Sequence, residues 1–88
     1  MDIKDKVAIV TGAAAGIGQA YAYAVAENGA AAVVLADLDE AGLAQTAAGV
    51  EQRGARAQAS RVDVTDTEQL ESLFANTQQQ FGSVDIVF

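Results

Sequence analysis

The 88-residue chain contains no cysteine and no histidine. The lack of cysteine excludes disulfides and thiolate metal sites. The lack of histidine removes the commonest metal ligand and general base, so zinc chemistry and Ser–His–Asp catalysis are excluded within these residues. Positive charge is also scarce: five Lys and Arg stand against twelve Asp and Glu, a formal net charge of −7. Lys4 and Lys6 lie near the start; Arg53, Arg56 and Arg61 lie in the middle. With no basic stripe, the chain lacks the electrostatic footprint of a nucleic-acid binder and of a protein drawn to anionic membranes. Any anionic ligand must then be held by local backbone groups rather than by the overall field. No apolar run approaches membrane-spanning length, and Asp2, Lys4, Asp5 and Lys6 around Ile3 do not make a signal peptide. The expectation is a cytoplasmic protein, and 51% hydrophobic residues fit an ordinary globular composition.

What the chain does contain is an alternation of short apolar runs and helical patterns. Val7–Val10 is continuous enough for a buried parallel strand. A helix pattern follows from Gly16 to Asn28, with Gly29 as its stop. Ala32–Ala36 is a second buried strand. Asp39 can cap a second helix whose apolar positions are Leu43, Ala47 and Val50; Gly42 and Gly49 weaken it by about 1 kcal/mol each relative to alanine, and Gly54 ends it. Ala57–Val64 reads as a third strand, polar at its start and therefore at or near a sheet edge. Thr65-Asp66-Thr67-Glu68 fits a capping box, and Leu70, Leu73, Phe74, Thr77 and Phe81 mark one face of the helix it opens. Gly82 closes that helix, and Val84–Phe88 begins a fourth buried strand. A β-α-β-α-β-α-β order of this length predicts right-handed crossovers and a parallel sheet.

The stretch Thr11-Gly12-Ala13-Ala14-Ala15-Gly16-Ile17-Gly18 lies between the first strand and the first helix, where phosphate binding requires it. A helix N-terminus exposes unpaired N–H groups and carries about half a positive charge, so it accepts an anion without any lysine. Glycine serves where a side chain would block a pyrophosphate and where helix packs closely on strand. The spacing is G-x-x-x-G-x-G rather than G-x-G-x-x-G. Asp37 ends the second strand 19 residues beyond Gly18, close to the distance of about 20 expected for a ribose-binding carboxylate. A carboxylate there accepts bonds from ribose hydroxyls and repels a 2′-phosphate. No basic residue stands at Ala15 or Leu38, so NAD is expected over NADP. A plain turn-capping role is the alternative for Asp37. Asp63 ends the third strand, where it can accept from the adenine amino group with the Val64 backbone beside it, or simply cap a turn.

These residues resemble the short-chain dehydrogenase/reductase family, whose Thr-Gly-x-x-x-Gly-Ile-Gly signature is similar to Thr11–Gly18. Lys6–Val10, Asp63–Asp66 and Phe81–Val87 resemble the same family in the same order. The resemblance implies a Rossmann-type three-layer α/β fold with strand order 3-2-1-4 for the first four strands. It also implies NAD(P)-dependent alcohol oxidation or carbonyl reduction of a small molecule, and a homo-oligomer at full length. The cofactor-contacting set it suggests is Gly12, Ala15, Gly16, Ile17, Gly18, Asp37, Leu38, Asp63 and Val64. Gly29 to Asp37 spans one step more than is usual in that family, and a bulge could absorb it.

Residues 1–88 are expected to be the N-terminal part of a single NAD(P)-binding domain. The run ends inside an apolar strand at Phe88, and neither the Asn-Asn-Ala-Gly turn nor the Tyr-x-x-x-Lys pair of the family lies within it. Tyr21 and Tyr23 cannot substitute, because Val25 and Glu27 stand four residues on; they are assigned to packing or the surface. Two other readings compete: a non-catalytic nucleotide-binding module, and an S-adenosylmethionine-dependent methyltransferase, which also places a glycine turn after its first strand.

Overall fold

The computed structural model describes residues 2–88. Its elements are β1 (Val7–Thr11), α1 (Gly16–Glu27), β2 (Ala32–Asp37), α2 (Glu40–Gln52), β3 (Arg56–Arg61), α3 (Thr67–Phe81) and β4 (Ile86–Val87). The four strands form one parallel sheet, as the alternation of elements predicts, in the order β3-β2-β1-β4 that the family resemblance implies. Strand side chains alternate between two faces. Ala8, Val10, Val33 and Leu35 meet Val25 of α1 with Leu43 and Val50 of α2 on one face. Ile9, Val34 and Ala36 meet Leu73 of α3 on the other, with Leu70 and Phe74 packed against them. Both faces of β1 and β2 are therefore covered, which is why both read as unbroken apolar runs. Among the described residues, no helix is long and apolar enough to cross a membrane.

Besides one-residue shifts at the ends of β1 and α1 and the start of β3, three boundaries differ from the sequence expectation. β3 stops at Arg61 rather than Val64, because the Asp63 carboxylate accepts from both the N–H and the hydroxyl of Thr65 and turns the chain away. β4 is confined to Ile86–Val87, although Asp85 N–H donates to Val7 O and Phe88 N–H to Ile9 O on either side of it. The third cap lies one residue later than Thr65. Asp66 is the N-cap of α3, accepting from the N–H groups of Glu68 and Gln69, and Gln69 Nε2 returns a bond to its carboxylate. Thr65 is withdrawn from capping by its two bonds to Asp63. Removing the Asp66 side chain (D66A) is expected to cost about 1 kcal/mol, read as a lowered urea midpoint; Thr65→Ala leaves this cap intact.

The chain enters β2 through a local bulge. Ala31 and Ala32 both direct their N–H groups at the Lys6 carbonyl, at 2.8 and 3.5 Å, two residues against one. From Val7 opposite Ala32 onward the register is unbroken, and it brings Thr11 opposite Ala36 and Asp37 opposite Arg61.

Gly49 is a packing residue rather than a weak point. A Cβ there would lie 2.6 Å from the Tyr23 hydroxyl and 2.7 Å from Cζ, so the small residue lets α1 and α2 close on each other. Arg53 lies 4.0 Å over the same ring, pairs with Glu27 at 2.9 Å and donates to the Gly49 carbonyl. Tyr21 instead stacks on Phe88, ring centroids 5.1 Å apart. Both tyrosines thus take packing or surface roles.

Candidate functional site

The carboxyl ends of β1, β2 and β3 open on one rim of the sheet, next to the point where strand order reverses between β1 and β4. In open α/β sheets this crevice is where ligands bind. A cleft of about 220 Å³ there is lined by Gly12, Asp37, Leu38, Val62, Asp63, Val64 and Thr65. The fold thereby brings together five of the nine residues expected from sequence: Gly12, Asp37, Leu38, Asp63 and Val64. Ala15, Gly16, Ile17 and Gly18 do not line this cleft; they form the β1–α1 turn and the first turn of α1.

Helix α1 begins differently from the other two. Asp39 caps α2 and Asp66 caps α3, and each helix carries a glutamate in its first turn. The N-cap of α1 is Ala15, which offers no side-chain bond, and its first turn holds no acid. Among the described residues, no capping side chain or first-turn acid therefore offsets its N–H groups and the positive end of its dipole.

The three glycines of the turn serve two purposes. Gly12 and Gly16 hold φ of +64° and +60°, a left-handed backbone that side-chain-bearing residues adopt at a cost of roughly 1–2 kcal/mol; a Cβ on either would meet no atom within 4 Å. Gly16 is therefore fixed by backbone conformation and not by close packing. Gly18 is the packing residue: a Cβ there would fall 2.6 Å from the Gly12 carbonyl carbon and closer still to its oxygen.

Asp37 is tied to the same turn. Its Oδ2 accepts from Ala14 N–H at 3.1 Å, and its Oδ1 from Leu38 N–H at 2.7 Å and Asp39 N–H at 3.2 Å. Partial burial pushes its pKa up, but the three N–H groups of Ala14, Asp39 and Leu38 outweigh it and hold the carboxyl below its ordinary 3.8. The carboxylate is thus ionised at neutral pH, and with three of its roughly four acceptor positions filled it keeps one on Oδ2, on a residue that lines the cleft. Its bond to Asp39 is also the turn contact that the plain reading anticipated.

Asp63 is held below its ordinary value as well, chiefly by the Thr65 hydroxyl and then by the Thr65 N–H, against a small burial cost and with help from the Arg61 charge. Both Thr65 bonds fall on Oδ1; among the described residues, Oδ2 makes no hydrogen bond. Leu38 and Val64, about half exposed, flank the two acids with apolar walls. The cleft offers two carboxylates and three aliphatic residues, Leu38, Val62 and Val64, suited to a neutral polar ring system between apolar surfaces. The adjacent helix end is suited to the anionic part of the same ligand. A larger groove of about 690 Å³ runs between β3 and α3, where Asp66 and Glu68 on the wall outnumber Arg61.

Sequence reasoning gave no bonding role to two polar residues that shape this region, Thr11 of the glycine stretch and Thr46. Thr11 closes the end of β1 on β4, donating its N–H and its hydroxyl to the Phe88 carbonyl, both at 3.0 Å. Thr46, fully buried in α2, donates its hydroxyl to the Ala13 carbonyl within the glycine turn. Its signal was present, because Thr46 falls three residues after Leu43 and four before Val50 on the apolar face.

Four parallel strands in the order 3-2-1-4 with helices on both faces define a Rossmann-type α/β protein. The short chain dehydrogenase family model matches residues 6–88, and the chain belongs to that family. Galactitol 2-dehydrogenase of Agrobacterium fabrum is 40% identical over 87 residues, covering 99% of this chain and 32% of its own length. Cis-4-hydroxycyclohexanecarboxylate dehydrogenase of Sinomonas cyclohexanicum is 43% identical over 83 residues, 94% of this chain and 32% of its own. Among solved structures, NAD+-bound xylitol dehydrogenase superposes with a TM-score of 0.93 at 33% identity, over 100% of this chain and 34% of that one. The chain spans about a third of the length of the relatives it matches.

Proposed function

We propose that residues 1–88 are the cofactor-binding N-terminal part of a single NAD(P)-binding domain, in an oxidoreductase that prefers NAD over NADP and acts on a small alcohol or carbonyl compound. The observation that carries this reading is the uncapped, acid-free start of α1 beside an ionised Asp37. In it, the first-turn N–H groups at Gly16, Ile17 and Gly18 receive the pyrophosphate, with Gly12 and Ala15 giving close backbone approach. Asp37 accepts from the adenosine ribose hydroxyls and opposes a 2′-phosphate. Asp63 Oδ2 and the Val64 backbone take the adenine edge, while Leu38 and Val64 cover its faces. The dinucleotide supplies the hydride chemistry; these residues bind and orient it. The proton donor toward substrate is assigned to residues outside this stretch, in a cytoplasmic homo-oligomer.

Two NAD-bound neighbours support the cofactor assignment: the xylitol dehydrogenase, and a short-chain dehydrogenase from Burkholderia phymatum in complex with NAD (TM-score 0.93, 36% identity, 31% of that chain). Calorimetric titration of the full-length protein with NAD, NADP and S-adenosylmethionine tests the reading. NAD is expected to bind most tightly, and tighter binding of either competitor overturns the cofactor assignment.

A further inference from the structure

We propose that Thr46 is a positioning residue for the dinucleotide: its hydroxyl, held by Gln19, sets the backbone of the glycine turn from behind. This rests on the dinucleotide-binding reading above and assigns to α2 a part in it.

Helix α2 is the back wall of the turn. Thr46 Oγ1 donates to the Ala13 carbonyl at 2.8 Å in a buried setting, and accepts from Gln19 Nε2 of α1 at 3.0 Å. Among the described residues, no backbone N–H donates to that carbonyl. One turn earlier in α2, Gly42 approaches so closely that a Cβ there would lie 2.7 Å from Ala14 Cβ and 2.8 Å from Ala14 O. Ala13 N–H donates to the Ala36 carbonyl, and Ala14 N–H to Asp37. Residues 13 and 14 are thus fixed on every polar atom but the Ala14 carbonyl, and that one abuts Gly42. The peptide groups that follow are those at the open end of α1.

The chain's other buried helical threonine makes the contrast. Thr77 Oγ1 donates to the Leu73 carbonyl four residues back in its own helix, the usual outlet for a buried threonine. Thr46 spends its one proton outside its helix, on the turn. A buried carbonyl left without a donor is costly, whereas a methyl in place of the hydroxyl preserves shape. Thr46→Val therefore releases the turn without opening a cavity, and Thr77→Val is the matched control.

In the full-length protein, Thr46→Val is expected to weaken binding of ADP and NAD about tenfold while leaving adenosine, which has no pyrophosphate, within about twofold. Thr46→Ser should restore the affinity, and Thr77→Val should leave all three ligands unchanged. Amide hydrogen exchange in the ligand-free Thr46→Val protein should show faster exchange at residues 13–18. A variant binding ADP like the wild type, or losing adenosine in parallel with ADP, overturns the proposal, as does unchanged exchange in the turn. A wild-type protein that binds neither ADP nor NAD removes the cofactor reading instead, and the exchange measurement still decides whether Thr46 holds the turn.

Discussion

Gly18→Ala is expected to abolish dinucleotide binding and to lower the stability of the protein by about 3 kcal/mol. The added Cβ would run into the Gly12 carbonyl group, and both partners are backbone, so no side chain can swing away to make room. Either the start of α1 tilts off the β1 turn or the turn itself unrolls. Both movements scatter the N–H groups proposed to meet the pyrophosphate. Gly16→Ala provides the comparison, because it meets no atom and strains only the backbone at φ +60°. The ranking, with Gly18→Ala clearly worse in urea unfolding and in NAD titration, is the quantity to measure. Equal losses at the two positions would contradict the assignment of Gly18 to close packing.

Asp37→Ala carries the second large effect. Loss of charged-acceptor bonds to the ribose is expected to weaken NAD roughly 10- to 100-fold, and removal of the carboxylate should relax the rejection of NADP. The bond from Ala14 N–H to Asp37 Oδ2 adds a cost shared by both cofactors. The NAD/NADP ratio should therefore collapse while NADP affinity itself rises little. An unchanged ratio would falsify the ribose assignment. Acid should act in the same direction. The Asp37 pKa is depressed below 3.8 in the folded protein, so its contribution to stability is present above that value and is lost as pH falls through the lower, folded one. The alanine variant should lack that part of the acid sensitivity, seen as a flatter stability profile below about pH 4.

The parts of the fold that follow from backbone periodicity were legible in the residues. Val7–Val10 and Ala32–Ala36 read as buried parallel strands because a helix layer covers each face. The glycine turn, Asp37 and Asp63 stand out by position, at the carboxyl ends of three successive strands. Side-chain competition at the ends of elements was harder to read. Two overlapping cap patterns begin at Thr65 and Asp66, one residue apart, and Asp63 decides between them by drawing Thr65 to itself. Gly42 and Gly49 look like weaknesses along α2 and are contact points across it, with Ala14 and with Tyr23. Thr46 escaped notice because its partner, the Ala13 carbonyl, is 33 residues away and has no side-chain signature.

The bulge at Lys6 has a consequence for how this fold tolerates change. A one-residue register slip would send every side chain of β2 to the opposite face and carry Asp37 away from the turn. Instead the surplus is taken up at the Lys6 carbonyl, where β2 enters the sheet. The strand is then indexed from its far end, by Ala13 on the Ala36 carbonyl and Ala14 on Asp37. The two rims of the sheet thus obey different rules. A residue gained or lost at the entry rim is expected to leave the position of Asp37 unchanged, while one gained or lost at the exit rim is expected to displace it.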